Sequence, residues 1–314
     1  MENKYLGIEI GGTKLQLILA DQDLNIIQKY RAWVEKGDSA HEIRQKIANV
    51  VKEVQQETDL SGIGVGFGGP LDWEKGQVIV SHQIEGWNGF NIKEWLQELT
   101  GVPVAVENDA NAAALGEARR GAGQGYRSVF YITLGSGVGG GLVIDNQLFH
   151  GANPGEAEVG HLLVDRTGLT VEDCCSGWAV DRKVWKAVRT EPTGILRQLA
   201  GPNRSGEARF LKDALEQGDK TALAIMKETA DTLGFGLSHV VHLFHPDIII
   251  LGGGLSFLGD FLRVPAEEAL RTYTMKAFLP IPPIAIAQLA ENTVPIGALE
   301  LIHQQISKTK AVAI

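Results

Sequence analysis

Short apolar runs separated by glycine-rich or polar turns alternate along the chain with longer amphipathic segments. Apolar runs of about four to eight residues between turn residues are typical of buried strands, whereas apolar residues spaced three and four apart indicate helices. The pattern therefore predicts an α/β protein. The predicted strands are 6–10, 15–20, 26–33, 62–67, 102–106, 129–134, 142–144, 248–251 and 284–287, and the predicted helices are 40–57, 91–100, 110–119, 178–189, 208–217, 221–244 and 296–305.

One arrangement occurs twice. A strand, the turn 11–14 (GGTK), a second strand and Asp21 reappear later as a strand, the turn 135–141 (GSGVGGG), a strand and Asp145. Two copies of a hairpin-led unit predict two similar domains facing each other across a cleft, although chance also explains two glycine-rich hairpins. We expect one domain of residues 1–120 plus 296–314 and a second of residues 121–295.

Composition narrows the class of protein. A length of 314 residues suggests about two domains, and 44% hydrophobic residues suffice for their cores. The net charge of −9 disfavours nucleic-acid binding. The start of the chain lacks a signal-peptide pattern, no apolar run is long enough for a membrane span, and the two cysteines are adjacent. We therefore expect a cytoplasmic protein with neither membrane nor nucleic-acid partners.

The chain contains 38 glycines, about 12% of its residues, against a usual share of about 7%. Three glycine turns each follow an apolar strand, and glycine lets a backbone approach an anion with its N–H groups. Each turn alone is better explained as a tight hairpin, and the first does not match a Walker A loop. Together they favour a nucleotide held between two domains. The candidate nucleotide-binding residues are Gly11, Gly12, Thr13, Lys14, Thr133, Gly135, Ser136, Gly137, Gly252, Gly253 and Gly254.

A polar group stands where the predicted strand 102–106 ends and a helix begins. Taken alone, either Asn108 or Asp109 is best explained as the N-cap of that helix. The carboxyl end of a strand is also where open α/β sheets bind ligands. An aspartate at that position is therefore a candidate acceptor for the proton of a substrate hydroxyl.

The segments 8–14 (IEIGGTK), 107–111 (ENDAN), 134–141 (LGSGVGGG) and 158–161 (EVGH), in this order, resemble the ROK family of sugar kinases and sugar-responsive repressors. The likeness runs from about residue 6 to residue 298. It implies the two-domain, actin-like or ribonuclease-H-like ATPase fold with a central cleft. It also implies phosphorylation of a hexose by ATP with magnesium, most simply by a glucokinase.

The resemblance assigns roles to individual residues. It implies that Asp109 is the general base, and a weakly basic carboxylate suffices because the phosphoryl-transfer transition state is loose. Glu9 stands where many relatives have an aspartate near the metal and the phosphates. A metal-binding role for Glu158 and His161 is the main alternative to sugar binding. The implied sugar-binding residues are Asn108, Glu158, His161, Glu172 and Gly69.

One departure from the family concerns zinc. Relatives often carry a cysteine-rich zinc loop after the histidine that corresponds to His161. The corresponding segment here, residues 162–172, is shorter than that loop and contains no cysteine. A structural zinc site needs four nitrogen or sulfur ligands, which His161 with the adjacent Cys174 and Cys175 does not supply. We therefore predict no zinc, and Glu172 then matches the family's Leu-Glu motif.

A non-catalytic sugar sensor, as in the repressor branch, is the second hypothesis. Such repressors carry a helix-turn-helix domain before the first strand, whereas about five residues precede it here. Together with Asp109, this favours the enzyme. An actin-like structural ATPase would leave the segment 158–161 unexplained. The choice among glucose, fructose, mannose and N-acetylated amino sugars stays open, as do ATP against polyphosphate and a homodimer.

Overall fold

The computed structural model describes residues 3–12, 14–35, 37–81, 84–153, 155, 157–190, 193–201 and 206–312. The chain forms two compact units. Unit 1 comprises Met1–Arg127, Gly141–Ala157 and Gln288–Ile314, and unit 2 comprises Ser128–Gly140 and Glu158–Ala287. Among the described residues, no helix combines the length and the apolar character needed to span a membrane.

Strands and helices alternate along most of the chain. The strands are β1 (Lys4–Ile10), β2 (Lys14–Ala20), β3 (Ile26–Trp33), β4 (Leu60–Phe67), β5 (Leu71–Asp72), β6 (Gln77–Val78), β7 (Val104–Asn108), β8 (Ser128–Leu134), β9 (Val138–Ile144), β10 (Gln147–Leu148), β11 (Ile248–Gly252) and β12 (Ile284–Ile286). The helices are α1 (Ala40–Glu57), α2 (Ile92–Thr100), α3 (Asp109–Arg120), α4 (Val171–Cys175), α5 (Gly177–Thr190), α6 (Ile195–Ala200), α7 (Leu211–Glu216), α8 (Lys220–Phe244), α9 (Asp260–Tyr273) and α10 (Thr293–Val312).

A five-stranded sheet in the order β3-β2-β1-β4-β7 forms the centre of unit 1. Strands β1, β2 and β3 pair antiparallel, whereas β1, β4 and β7 run parallel. Strands β1, β4 and β7 are buried along almost their whole length because helices cover both faces of the sheet. Their carboxyl ends therefore lie side by side at one edge.

Helices pack on the two faces of this sheet in different ways. Helix α1 begins at Ser39, which forms a capping box with Glu42, and buries an apolar stripe at 43, 47, 51 and 54. Helix α10 packs on the opposite face so closely that its backbone contacts the backbone of the sheet. A Cβ atom at Gly64 of β4 would lie 1.8 Å from the carbonyl oxygen of Ala298. Only glycine at position 64 permits this approach.

The second sheet has the order β10-β9-β8-β11-β12, with β8, β11 and β12 parallel. When the five strands of each sheet are numbered by their order along the chain, both sheets have the strand order 3-2-1-4-5. The predicted repetition of a hairpin-led unit therefore has a counterpart in the topology. Within unit 2, α8 packs against α4 and α9, and a Cβ atom at Gly236 of α8 would lie 2.7 Å from Val171 of α4.

Several predicted elements differ from the structure. The interpretation of 135–141 as one turn is wrong, because the turn is short and β9 already begins at Val138. The predicted helix 208–217 is a 3-10 helix, Glu207–Phe210, followed by α7. Helices α4, α6 and α9 were not among the helices predicted from the sequence. In α9, Pro265 stands inside the helix, where proline normally argues against one.

Candidate functional site

The carboxyl ends of β1, β4 and β7 bring together glycine turns and polar side chains of unit 1. The N–H of Gly68 donates to the carbonyl oxygen of Ile10 at 2.9 Å. A Cβ atom at Gly68 would lie 3.3 Å from Oδ2 of Asp109 and 3.6 Å from Cα of Gly11. Nδ2 of Asn108 donates to the carbonyl oxygen of Gly69 at 3.3 Å. The predicted residues Gly11, Gly69, Asn108 and Asp109 are therefore neighbours, with a bare backbone beside the carboxylate.

Asn108 and Asp109 both contribute to the start of α3. Oδ1 of Asn108 accepts hydrogen bonds from the N–H groups of Ala110 at 2.8 Å and Asn111 at 3.2 Å, so Asn108 is the N-cap. Oδ1 of Asp109 also accepts from Ala110, at 2.8 Å. Oδ2 of Asp109 faces Gly68. The capping interpretation thus holds for Asn108, and Asp109 is a partly exposed carboxylate in the first turn of the helix.

Lys14 and Glu9 form an ion pair beside the first glycine turn. Nζ of Lys14 lies 2.8 Å from Oε2 of Glu9 and donates to the carbonyl oxygen of Glu291 at 2.7 Å. Burial raises the pKa of Glu9, and the charge and hydrogen bond of Lys14 oppose that rise. The turn closes through a 2.9 Å bond from the N–H of Gly11 to the carbonyl oxygen of Lys14. Gly12 is partly buried in the same turn, and the predicted Thr13 lies outside the described residues.

A buried polar cluster behind Asn108 was not selected from the sequence. Glu107 is 2% exposed, and its carboxylate contacts the backbone N–H of Asn108, the side chain of Asn111 and His150. His150 stacks on the ring of Trp73. Glu107 and Asn111 lie within the segment 107–111 that carries the family resemblance, which is a signal that could have identified them. His150 and Trp73 have no comparable local pattern.

In unit 2, Glu172 supports the turn between β8 and β9. The turn closes by a 3.0 Å bond from the N–H of Gly135 to the carbonyl oxygen of Gly137. Oε2 of Glu172 accepts from the N–H of Val138 at 2.8 Å. A Cβ atom at Gly137 would lie 2.5 Å from the same oxygen, so a larger residue there would displace the Glu172 carboxylate. Glu172, predicted as a sugar ligand, therefore lies beside the predicted phosphate turn. Ser136 is exposed at its tip.

The third glycine turn adjoins the same edge of the second sheet. Gly252 ends β11 and pairs with Thr133 of β8, so these two predicted residues are neighbours. Gly253 has a φ of +77°, and a Cβ atom there would lie 2.5 Å from the carbonyl carbon of Leu134. Gly254 opens the 3-10 helix Gly254–Leu258. A Cβ atom at Gly135 or Gly254 would meet nothing within 4 Å, so open space lies beside both backbones.

Glu158 precedes a 3-10 helix of unit 2, Val159–His161, and His161 is its last residue. Their side chains are 47% and 71% exposed, and Oε2 of Glu158 lies 3.9 Å from Nε2 of His161. The described residues contain no group of three or more His, Cys, Asp or Glu side chains arranged to hold a metal ion. Sγ of Cys175 donates to the carbonyl oxygen of Thr229 at 3.4 Å. Burial raises the pKa of Cys175 to about 12, which disfavours the thiolate that a metal requires.

Comparisons with known proteins identify the family. The sequence profile of the ROK family matches residues 5–305. A glucokinase of Thermotoga maritima is 31% identical over 96% of this chain and 98% of its own length. A xylose repressor of Caldicellulosiruptor bescii is 24% identical over 95% of this chain and 77% of its own length. The crystal structure of a ROK family glucokinase from Streptomyces griseus, in complex with glucose and AMPPNP, matches with a TM-score of 0.84 and 32% identity, covering 96% and 100% of the two chains.

These matches confirm two predictions made from the sequence. The resemblance to the ROK family is correct. The fold is the actin-like ATPase fold with two domains, as in the ROK sugar kinases of known structure.

Proposed function

The chain belongs to the ROK family, and on that premise we propose that it is a kinase that transfers a phosphoryl group from ATP to a hydroxyl of a hexose. The observation that carries the proposal is the position of Asp109. Its carboxylate stands at the carboxyl ends of three parallel strands, with Oδ2 toward the bare backbone of Gly68 and next to Gly11. A sugar hydroxyl can reach a carboxylate that no neighbouring side chain at position 68 covers.

Asp109 would accept the proton of the attacking hydroxyl. A carboxylate is a weak base for an alcohol, but the transition state of phosphoryl transfer is loose, and positioning supplies most of the rate. Asn108 and Gly69, already joined by a hydrogen bond, would orient neighbouring ring hydroxyls. In unit 2, the exposed Glu158 and His161 offer an acceptor and a donor or acceptor for further hydroxyls, and Glu172 is proposed as another ligand.

The glycine turns would bind the nucleotide. Gly135 and Gly254 fit this role because a side chain at either position would project into open space. A phosphate could approach the backbone at either position without steric obstruction, although the N–H of Gly135 already donates to the carbonyl oxygen of Gly137. Lys14 is a second candidate, although its ammonium group is shared with Glu9 and the carbonyl oxygen of Glu291.

Magnesium fits the acidic and phosphate-binding groups of this site. Protein sites for magnesium usually supply one or two carboxylates, with the substrate phosphates and water as the other ligands. Glu9 is the residue that would hold it, and magnesium would then replace the ammonium group of Lys14 at Oε2. When bound, magnesium neutralises charge on the phosphates.

Glucose is the proposed sugar, because relatives from several organisms are glucokinases. The test is a coupled assay of the purified protein over glucose, mannose, fructose and N-acetylated amino sugars, each with ATP or polyphosphate. We expect the highest kcat/KM with glucose and ATP. Turnover of another sugar alone would replace glucose in the proposal, and turnover with polyphosphate alone would replace the donor.

The similarity to xylose repressors keeps a non-catalytic sugar sensor as the second candidate. The same assay separates the two functions when combined with calorimetry. Binding of a sugar without phosphorylation under any donor would establish the sensor and refute the kinase.

A further inference from the structure

A buried carboxylate stands one residue before the Asn108–Asp109 pair. Oε1 of Glu107 accepts hydrogen bonds from the backbone N–H of Asn108 at 2.9 Å and from Nδ2 of Asn111 at 3.1 Å. Oε2 lies 2.6 Å from Nε2 of His150. Because a carboxylate accepts and an N–H group donates, His150 donates through Nε2. Both oxygens of a side chain that is 2% exposed are thus occupied by donors.

The imidazole of His150 is fixed from a second side. Its ring stacks on Trp73, with centroids 4.1 Å apart and planes inclined by 14°. Next to Trp73, Oδ1 of Asp72 accepts a hydrogen bond from Nδ2 of Asn153 at 2.9 Å. Two contacts therefore join the β5–β6 hairpin to the segment that carries His150, and together they restrict the position of the histidine.

Asn111 links the carboxylate to the first turn of α3. Its Nδ2 donates to Glu107 and, at 3.2 Å, to the carbonyl oxygen of Gly155. Because both partners are acceptors, the amide nitrogen must face them, and this fixes the orientation of the side chain. Glu107 consequently holds the backbone of Asn108 and the side chain of Asn111, the two residues that flank Asp109 and Ala110.

We propose that His150 is a positioning residue for sugar phosphorylation, an inference that rests on the function proposed above. His150 holds Glu107, and Glu107 holds Asn108 and the first turn of α3 in the place from which Asp109 acts. Without the histidine donor, one oxygen of a buried carboxylate lacks a partner. Rotation of the carboxylate or entry of water would relieve this, and either change alters the bonds to Asn108 and Asn111. Errors of about 1 Å in positioning can reduce rates by about 10².

The experiment compares steady-state kinetics of His150→Leu, His150→Gln and a control, His41→Leu. In His150→Leu we expect kcat/KM for the sugar to fall about ten- to a hundredfold, while KM for ATP changes by less than about twofold. Glutamine keeps an N–H donor at a similar reach, so His150→Gln should recover most of the loss. His41 is an exposed histidine of α1, and its replacement should change neither constant.

A second readout does not depend on catalysis. Because Asn111 and Glu107 share a hydrogen bond, His150→Leu should shift the Asn111 side-chain amide signal in NMR spectra. It should also speed hydrogen exchange at the backbone amides of Ala110 and Asn111 by about tenfold. If the wild-type protein phosphorylates no sugar, the proposed function fails, whereas these amide measurements still decide whether His150 positions the turn.

Wild-type kcat/KM together with unchanged amide exchange in folded His150→Leu would overturn the proposal. Equal losses in His150→Leu and His150→Gln would also contradict it, because the donor would then not matter. If His150→Leu does not fold, His150→Asn replaces it. Its amide is too short to reach Glu107, so it should show the same loss as leucine, and wild-type kinetics in that variant would again refute the role.

Discussion

Replacement of Asp109 by asparagine removes one charge and leaves the size and shape of the side chain almost unchanged. Oδ1 of Asp109 accepts a hydrogen bond from the N–H of Ala110 at 2.8 Å, and asparagine retains an oxygen at that position. The N-cap of α3 is Asn108, whose bonds do not involve the substituted side chain. The expected structural cost is the lost attraction between a negative charge and the helix N-terminus, about 0.3–1 kcal/mol. The melting temperature should therefore fall by no more than about 4 °C.

The effect of Asp109→Asn on catalysis should be far larger. Loss of a general base typically lowers rates by about 10²- to 10⁴-fold, which corresponds to about 2.7–5.4 kcal/mol in the barrier. The measurement is kcat in the coupled assay, with calorimetry to verify that the nucleotide still binds. Asp260→Asn is the matched control, because Asp260 likewise opens a helix, and it should retain wild-type kcat. A kcat within about twofold of wild type in Asp109→Asn would show that Asp109 serves only the helix terminus.

The remaining predictions concern the nucleotide, zinc and acid stability. Gly135→Ala should fold normally, because its Cβ meets nothing within 4 Å, and should raise KM for ATP several times more than KM for the sugar in the coupled assay. Elemental analysis should find no stoichiometric zinc, and a chelator should leave the melting temperature unchanged; one zinc per chain with unfolding on chelation would refute this. Hydrogen bonds from Lys75 and Asn153 lower the pKa of Asp72 to about 2, so this carboxylate stabilises the fold above its ordinary pKa of 3.8 and the contribution disappears as pH falls toward about 2. Asp72→Asn should therefore lose less stability than wild type between about pH 4 and pH 2, measured as the urea midpoint, and an identical loss in both proteins would contradict the assignment.

Local patterns identified the elements that position the candidate site. The spacing of apolar residues predicted helix 40–57 and strand 26–33 with the bounds that the structure shows. The polar residues after the strand at 102–106 were expected at the start of a helix, and they lie there. In these cases the relevant contacts lie within a few residues of one another, so a single stretch of sequence contains the information.

Contacts between distant segments were not predictable in this way. His150 meets Glu107 across 43 positions in sequence, and Oε2 of Glu172 meets Val138 across 34. A glycine run likewise does not reveal where a turn ends. Gly141 lies within β9, and a Cβ there would be 2.6 Å from the Cβ of Ala114, so this position requires glycine for packing rather than for turning.

The candidate glycines fall into two classes with opposite expectations. Gly253 excludes a side chain because the backbone of Leu134 already fills the space, at 2.5 Å, whereas a side chain at Gly137 would displace the carboxylate of Glu172. Gly135 and Gly254 face open space. Enlarging Gly253 disturbs the fold, since overpacking costs about 1–3 kcal/mol, and enlarging Gly137 moves the Glu172 side chain, whereas enlarging Gly135 or Gly254 obstructs only a ligand. Glycine content alone does not distinguish these four positions. Only the surrounding atoms indicate at which of them a phosphate can approach the backbone.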